Sequence, residues 1–204
     1  MKRIGTIPAR RAPSAFSLFE LMLVLAILVT VTSIAVPPMM ERLKNGKVQE
    51  AADLVRETLA NARRYAIEAG VDYHFRYEVN GQFFVAIPAE PNPGLANNYS
   101  EDTEDIRVAL ESGELDEDLM LAALDGEESG AETLEVDAFT QLSNAGELAS
   151  KTWSKPIVFR FDGTAEDRTF RVMTITDRRT SEISVRGLTG AVRATQVFEM
   201  EESK

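Results

Sequence analysis

The chain has 204 residues, 44% hydrophobic and 27% charged, which leaves room for one modest domain plus an extra segment and excludes disorder throughout. It holds no cysteine, so a disulfide framework and a thiolate zinc centre are both excluded. The formal net charge of −11 is unevenly spread: Lys2, Arg3, Arg10 and Arg11 stand at the front with no acid among them, leaving 18 basic against 33 acidic residues, a net of −15, for the rest. Such a body repels nucleic acid and anionic membrane at long range.

An apolar run from Phe16 to Val36 follows the basic leader, and no charged side chain occurs between Leu21 and Met40. As a helix the run is about 31 Å long, enough to cross a hydrocarbon core of about 30 Å. A buried helix of a soluble core would normally carry a polar stripe, and a secretory signal has a shorter apolar core of about 7–15 residues ending in a small-x-small site, which "VPPMMERL" lacks. The four leading bases put the N-terminus in the cytoplasm and everything after Pro38 outside. Within this run Glu20 is conspicuous, because an unpaired carboxylate in lipid costs a few kcal/mol or more.

A basic leader, a small residue and then "FSLFELMLVLAIL" resembles the class III signal of type IV pilins and type II secretion pseudopilins. The match is Phe16, Ser17, Leu18, Phe19 and Glu20, with Ala15 where the family has Gly. The resemblance implies that a prepilin peptidase cuts between Ala15 and Phe16 and methylates the new Phe16 amine, with residues 1–15 removed and 16–38 kept as a transmembrane helix. It also implies a role for Glu20 in subunit assembly, pairing with the free amine of a neighbour; fixing registry is the best attested use of a costly buried charge. Pro37 falls where many pilins carry a helix-bending proline. With Pro38 beside it, lost N–H groups and ring clashes predict a helix kink.

From Lys44 the stripe Val48, Ala51/Ala52, Val55, Thr58/Leu59, Ala62, Tyr65/Ala66 and Ala69 recurs at spacings of three and four, so one amphipathic helix runs to a C-terminal cap at Gly70. Its stripe of small residues suits close packing on a sheet. "VDYHFRYEVNGQFFVAIP" alternates around Asn80-Gly81 and predicts a β-hairpin with a type I′ turn. Helix and hairpin together make up 39–87. His74, the single histidine, reads as a strand residue; with no second histidine or cysteine beside it, no metal site is expected.

Residues 88–153 read as an acidic insertion: Glu101 to Asp137 carries 15 acids against the single base Arg107. No D-x-D-x-D-G calcium spacing occurs in it, so a solvated surface is the better reading, with a short helix over Leu115 to Leu124. "NYS" at Asn98 matches a glycosylation sequon, a triplet that chance often produces. The C-terminal stretch 154–204 returns to strands: Ile157, Phe159 and Phe161 alternate before Asp162-Gly163, Phe170 and Val172 lead to Ile175, and two strands flank Thr189-Gly190. Short strands at regular spacing predict an antiparallel sheet.

"NARRYAIEAG", "IVFRFDGT" and "ISVRGLTGAVR" follow in the order of the helix end, strand-turn and closing element of the GspH/FimT group, which extends the resemblance to about two thirds of the chain. The fold it implies is α+β and pilin-like, a long N-terminal helix, half transmembrane and half amphipathic, packed on antiparallel β-sheet. The function it implies is that of a minor pseudopilin of a type II secretion system, a single-pass inner-membrane protein with a periplasmic domain. Its partners would be other pseudopilins or pilins of the filament, the prepilin peptidase, the inner-membrane assembly platform and membrane lipid, with no cofactor. The alternative is a FimT-like minor type IV pilin serving pilus assembly or DNA uptake, with Arg178, Arg179, Arg186 and Arg193 as candidate DNA contacts. Between Ser154 and Arg193 eight bases face five acids, yet no aromatics interleave with them for base stacking, so nucleic acid is disfavoured. An enzyme is disfavoured too, for no G-x-S-x-G elbow exists. The intact mass of protein extracted from membranes is expected to correspond to a chain starting at a methylated Phe16; a start beyond Pro38 would contradict this reading.

Overall fold

The computed structural model describes residues 17–90, 110–124, 132–139 and 142–200. The chain divides into two units, residues 1–43 and 44–204. One helix, α1 (Leu18–Ala69), runs through both, including positions 37 and 38. The second unit adds strands β1 (Tyr73–Tyr77), β2 (Phe83–Pro88), β3 (Glu111–Glu114) and β4 (Leu119–Ala123), a 3-10 turn (Val136–Phe139), helix α2 (Ala145–Ala149), and strands β5 (Ile157–Phe159), β6 (Arg168–Thr174), β7 (Arg179–Arg186), β8 (Ala191–Ala194) and β9 (Phe198–Glu199).

In the second unit the expected stripe of α1 is buried: Val48, Ala52, Val55, Leu59, Ala62 and Ala66 are inaccessible to solvent. The helix stops where Gly70 takes a φ of +66°, a conformation that costs glycine nothing. Its small side chains let it approach two antiparallel sheets at once, of order β3-β2-β1-β5 and β4-β6-β7-β8, with β9 also pairing β7. The sheets meet in a shared aromatic junction, Phe75 lying 6.1 Å from Phe84 and 5.9 Å from Phe170, and Tyr77 stacked 4.9 Å from Phe170. The architecture is thus the α+β arrangement of a long N-terminal helix on antiparallel sheet.

β2 is buried along its whole length. Phe84 and Ala86 face the main core, whereas Phe83, Val85 and Ile87 enter a second cluster with Phe139, Leu148 and Trp153. Trp153 donates its indole N–H to the Leu148 carbonyl at 3.1 Å, so even its polar atom is satisfied inside. The stretch expected to be a solvated acidic surface therefore supplies structure: β3 pairs with β2, β4 pairs with β6, and Leu115, Leu119 and Leu121 lie in the main core. Charge dominates the composition there, but a few apolar side chains at strand spacing decide the fold.

Three local expectations are corrected. Leu115 to Leu124 contains strand β4 and no helix, because Leu119 and Leu121 alternate into the core opposite Thr174 and Val172 of β6. The hairpin turn is not type I′: only Asn80 has a positive φ (56°), and Glu78 N–H donates to the Phe83 carbonyl at 2.7 Å across a four-residue loop. The inward row of β6 is Phe170, Val172 and Thr174, which leaves Ile175 exposed; Phe161 is exposed too, since β5 ends at Phe159 and Arg160 opens the next turn. In that turn Gly163 has a φ of +85°, and its carbonyl oxygen lies 2.8 Å from where a Cβ on Gly190 would sit. Leu121→Ala is expected to cost about 2–5 kcal/mol and to lower the melting temperature of the detergent-solubilised chain; an unchanged melt would show that β4 is peripheral.

Candidate functional site

In the first unit, Leu18–Val36 is a 19-residue helical stretch of mean hydropathy 2.4, none of it buried. It spans about 29 Å, and its leucines, valines and isoleucines are all exposed. By length and composition it is a candidate membrane anchor. Its hydroxyls are already satisfied within the helix, as lipid requires: Thr30 donates to the Ala26 carbonyl, Thr32 to Leu28 at 2.7 Å and Ser33 to Thr30 at 2.9 Å. Glu20, the carboxylate of this stretch, sits in the first turn of α1, where the helix dipole favours negative charge. Ala15 and Phe16 lie outside the described residues. The helix continues through positions 37 and 38, whose side chains are likewise outside the description.

The four arginines named from sequence do not form one patch. Arg178 occupies the β6–β7 turn at a φ of 51°, and Arg179 opens β7 and donates to the Asn45 side chain. Arg186 closes β7, about 23 Å farther along the strand. Arg193 stands on β8 opposite Ser184. Arg178 and Arg179 thus lie at one end of the sheet and Arg186 towards the other. Arg171, another of the eight bases, faces Glu182 across β6 and β7 at 3.4 Å, and Arg168 lies 3.9 Å from Glu166. Among the described residues no group of three His, Cys, Asp or Glu side chains could hold a metal ion.

Sequence reasoning missed the ionic contacts at the start of the second unit. Lys44 pairs with Asp177 of the β6–β7 turn, while Lys47 reaches Asp116 at 3.6 Å and Asp118 at 3.4 Å in the β3–β4 turn. Lysines three apart on one helix face, set against the acidic "ELDED", were the available signal. The Lys44 ammonium holds the Asp177 carboxyl below its usual range. These side chains are largely exposed, so each pair contributes little to stability. Deeper in, the Arg76 guanidinium, nearly buried on β1, donates to Glu132 at 2.6 Å and to the Ser154 carbonyl at 3.1 Å. That contact ties the segment carrying Glu132 to the sheet and draws the Glu132 carboxyl downward.

No protein-family model matches the chain, and no curated protein does. Among solved structures it is similar to two of the minor pseudopilin EpsH from the type II secretion system of Vibrio cholerae. One is 14% identical, with a TM-score of 0.47, covering 77% of this chain and 99% of that one. The other is 13% identical, with a TM-score of 0.44, covering 74% and 97%.

His74 sits beside Arg76 on β1, and burial, reinforced by that cation, pushes its imidazole below the ordinary 6.5, against weaker opposition from Asp72, Glu166 and Glu132. The unfolded chain therefore takes up a proton before the folded one. Stability contributed by neutral His74 is full above pH 6.5 and falls as the pH drops through 6.5 towards the folded value. His74→Gln is expected to flatten the melting temperature of the solubilised chain across this window, and an unchanged slope would place the pH dependence elsewhere.

Proposed function

We propose that the chain is a membrane-anchored filament subunit, a GspH-like minor pseudopilin of a type II secretion system, and that its role is mechanical rather than catalytic. The observation that carries this reading is the exposed apolar helix Leu18–Val36 with one carboxylate, Glu20, in its first turn. An anchor that served only to hold the protein in lipid would gain nothing from that charge. Following the resemblance of "FSLFE", the leader is cut after Ala15, the Phe16 amine is methylated, and Glu20 meets the amine of a neighbouring subunit on assembly. The N-terminus faces the cytoplasm and the folded unit after Lys44 the periplasm, with a bend at Pro37 and Pro38 adapting the helix between them. Prepilin peptidase, assembly platform and neighbouring pseudopilins are the partners of this cycle. The separation of Arg178 and Arg179 from Arg186 along β7 disfavours the alternative of a DNA-binding minor pilin.

Glu20→Ala and Glu20→Gln are expected to leave membrane insertion intact, since both remove a charge from the apolar stretch. Both should abolish cross-linking to the other filament subunits, because an amine left without its partner costs about 3–5 kcal/mol. Normal cross-linking and secretion with both variants would end the registry role of Glu20.

A further inference from the structure

β8 is a short strand at the rim of its sheet, paired with β7. Thr195 N–H donates to the Glu182 carbonyl at 2.9 Å and Thr195 Oγ1 accepts from Glu182 N–H at 2.9 Å, so the pairing of these two residues turns the backbone of Thr195 towards β7. Because the direction alternates along an antiparallel ladder, Arg193 and Ala191 also face β7, while the N–H and C=O of Val192 and Ala194 point away from it. The side chains of Val192 and Ala194 are half-buried against the core, and among the described residues nothing pairs with this outward edge.

The open edge borders a groove of about 1000 Å³ between Gly190–Val192 and the outward flank of α1 from Gly46 to Arg63. That flank is about 26 Å long, the span of roughly eight extended residues. Its wall carries Glu50, Asp53 and Glu57 at positions i, i+3 and i+7, which share a helix face. Asp53 is bridged by Arg56 at 3.0 Å, and Arg63 donates to the Gly163 carbonyl at 3.0 Å. Glu50 and Glu57 form no ion pair among the described residues.

We infer that this groove binds an extended basic segment of a partner protein, which adds to β8 as a further strand. Main-chain hydrogen bonds to Val192 and Ala194 supply the binding, and basic side chains at alternate positions meet Glu50 and Glu57, as in other cases of strand addition. Unpaired strand edges are templates for this pairing unless a proline, a bulge or a covering element blocks them. With Asp53 bridged by Arg56 and Arg63 held by the Gly163 carbonyl, the carboxylates of Glu50 and Glu57 select a basic strand over an acidic one.

The probe is a fluorescent alternating lysine–valine octapeptide, titrated by anisotropy into the full chain in nanodiscs of zwitterionic lipid. Binding is expected, with slowed amide exchange at Val192 and Ala194. The same peptide N-methylated at every amide keeps its charge but has no main-chain donors, and it should bind about tenfold more weakly, equivalent to 1.4 kcal/mol. Val192→Pro removes an outward N–H along with a half-buried side chain, at an edge position where proline is tolerated, and should weaken the unmodified peptide similarly. Glu50→Lys with Glu57→Lys should do the same. Equal binding of methylated and unmodified peptides would reduce the groove to an acidic surface and overturn the proposal, even if Val192→Pro misfolded. Absence of binding at millimolar peptide would overturn it as well. So would self-association of the chain that Val192→Pro abolishes and the peptide does not compete, which would make a second copy the occupant.

Discussion

The fold of the second unit turns on one strand that has no solvent face. β2 reads Phe-Phe-Val-Ala-Ile-Pro, and every one of its residues is buried. A strand in the middle of a sheet can hide one face beneath a helix; hiding both needs a second cover. Helix α1 covers Phe84 and Ala86 with its small-residue stripe. The stretch from Glu132 to Trp153 covers Phe83, Val85 and Ile87 with Phe139, Leu148 and Trp153. The ties between that stretch and the sheet, Glu132 to Arg76 and Lys151 to Glu78, stand at the margin of the same cover.

This constraint also explains which parts of the molecule were legible beforehand. Period and composition sufficed for α1, because its buried positions repeat at helical spacing and Gly70 marks its end. The C-terminal strands were legible from Phe170, Val172, Ile183 and Val185, whose alternation survives in the folded sheet. The role of residues 132–153 was not, since the acidic run up to Asp137 makes the whole stretch 88–153 read as solvated surface, while the anchors Phe139, Leu148 and Trp153 lie just beyond that run. The signal was nevertheless present in β2: a continuous apolar run of strand length, rather than an alternating one, means burial on both sides and calls for a cover from elsewhere in the chain.

At the level of the candidate site the division is similar. The candidate anchor and Glu20 could be found because a hydrocarbon core would impose a length and disfavour stray charge, rules that act on sequence directly. The dispersal of the arginines could not, because Arg178 and Arg186 are separated by the length of a strand and not by any feature of composition. The ionic contacts of Lys44 and Lys47 depend on which turns arrive beside the helix, which only the tertiary arrangement fixes.

The proximity of Gly163 and Gly190 has a consequence for how sequence changes combine. Both residues have positive φ, and a Cβ on Gly190 would meet the Gly163 carbonyl at 2.8 Å and the Arg63 stem at 2.6 Å, while one on Gly163 would meet Arg63 and Ile67 at 3.3 Å. Two turns more than twenty residues apart in the chain thus share one confined volume, with Arg63 filling what the missing side chains leave. Relaxing one turn to admit a side chain moves the arginine on which the other rests, so effects at the two positions compound rather than add. The β5–β6 turn, the β7–β8 turn and one helical arginine form a single mechanical part, which can be reshaped as a whole but not piece by piece.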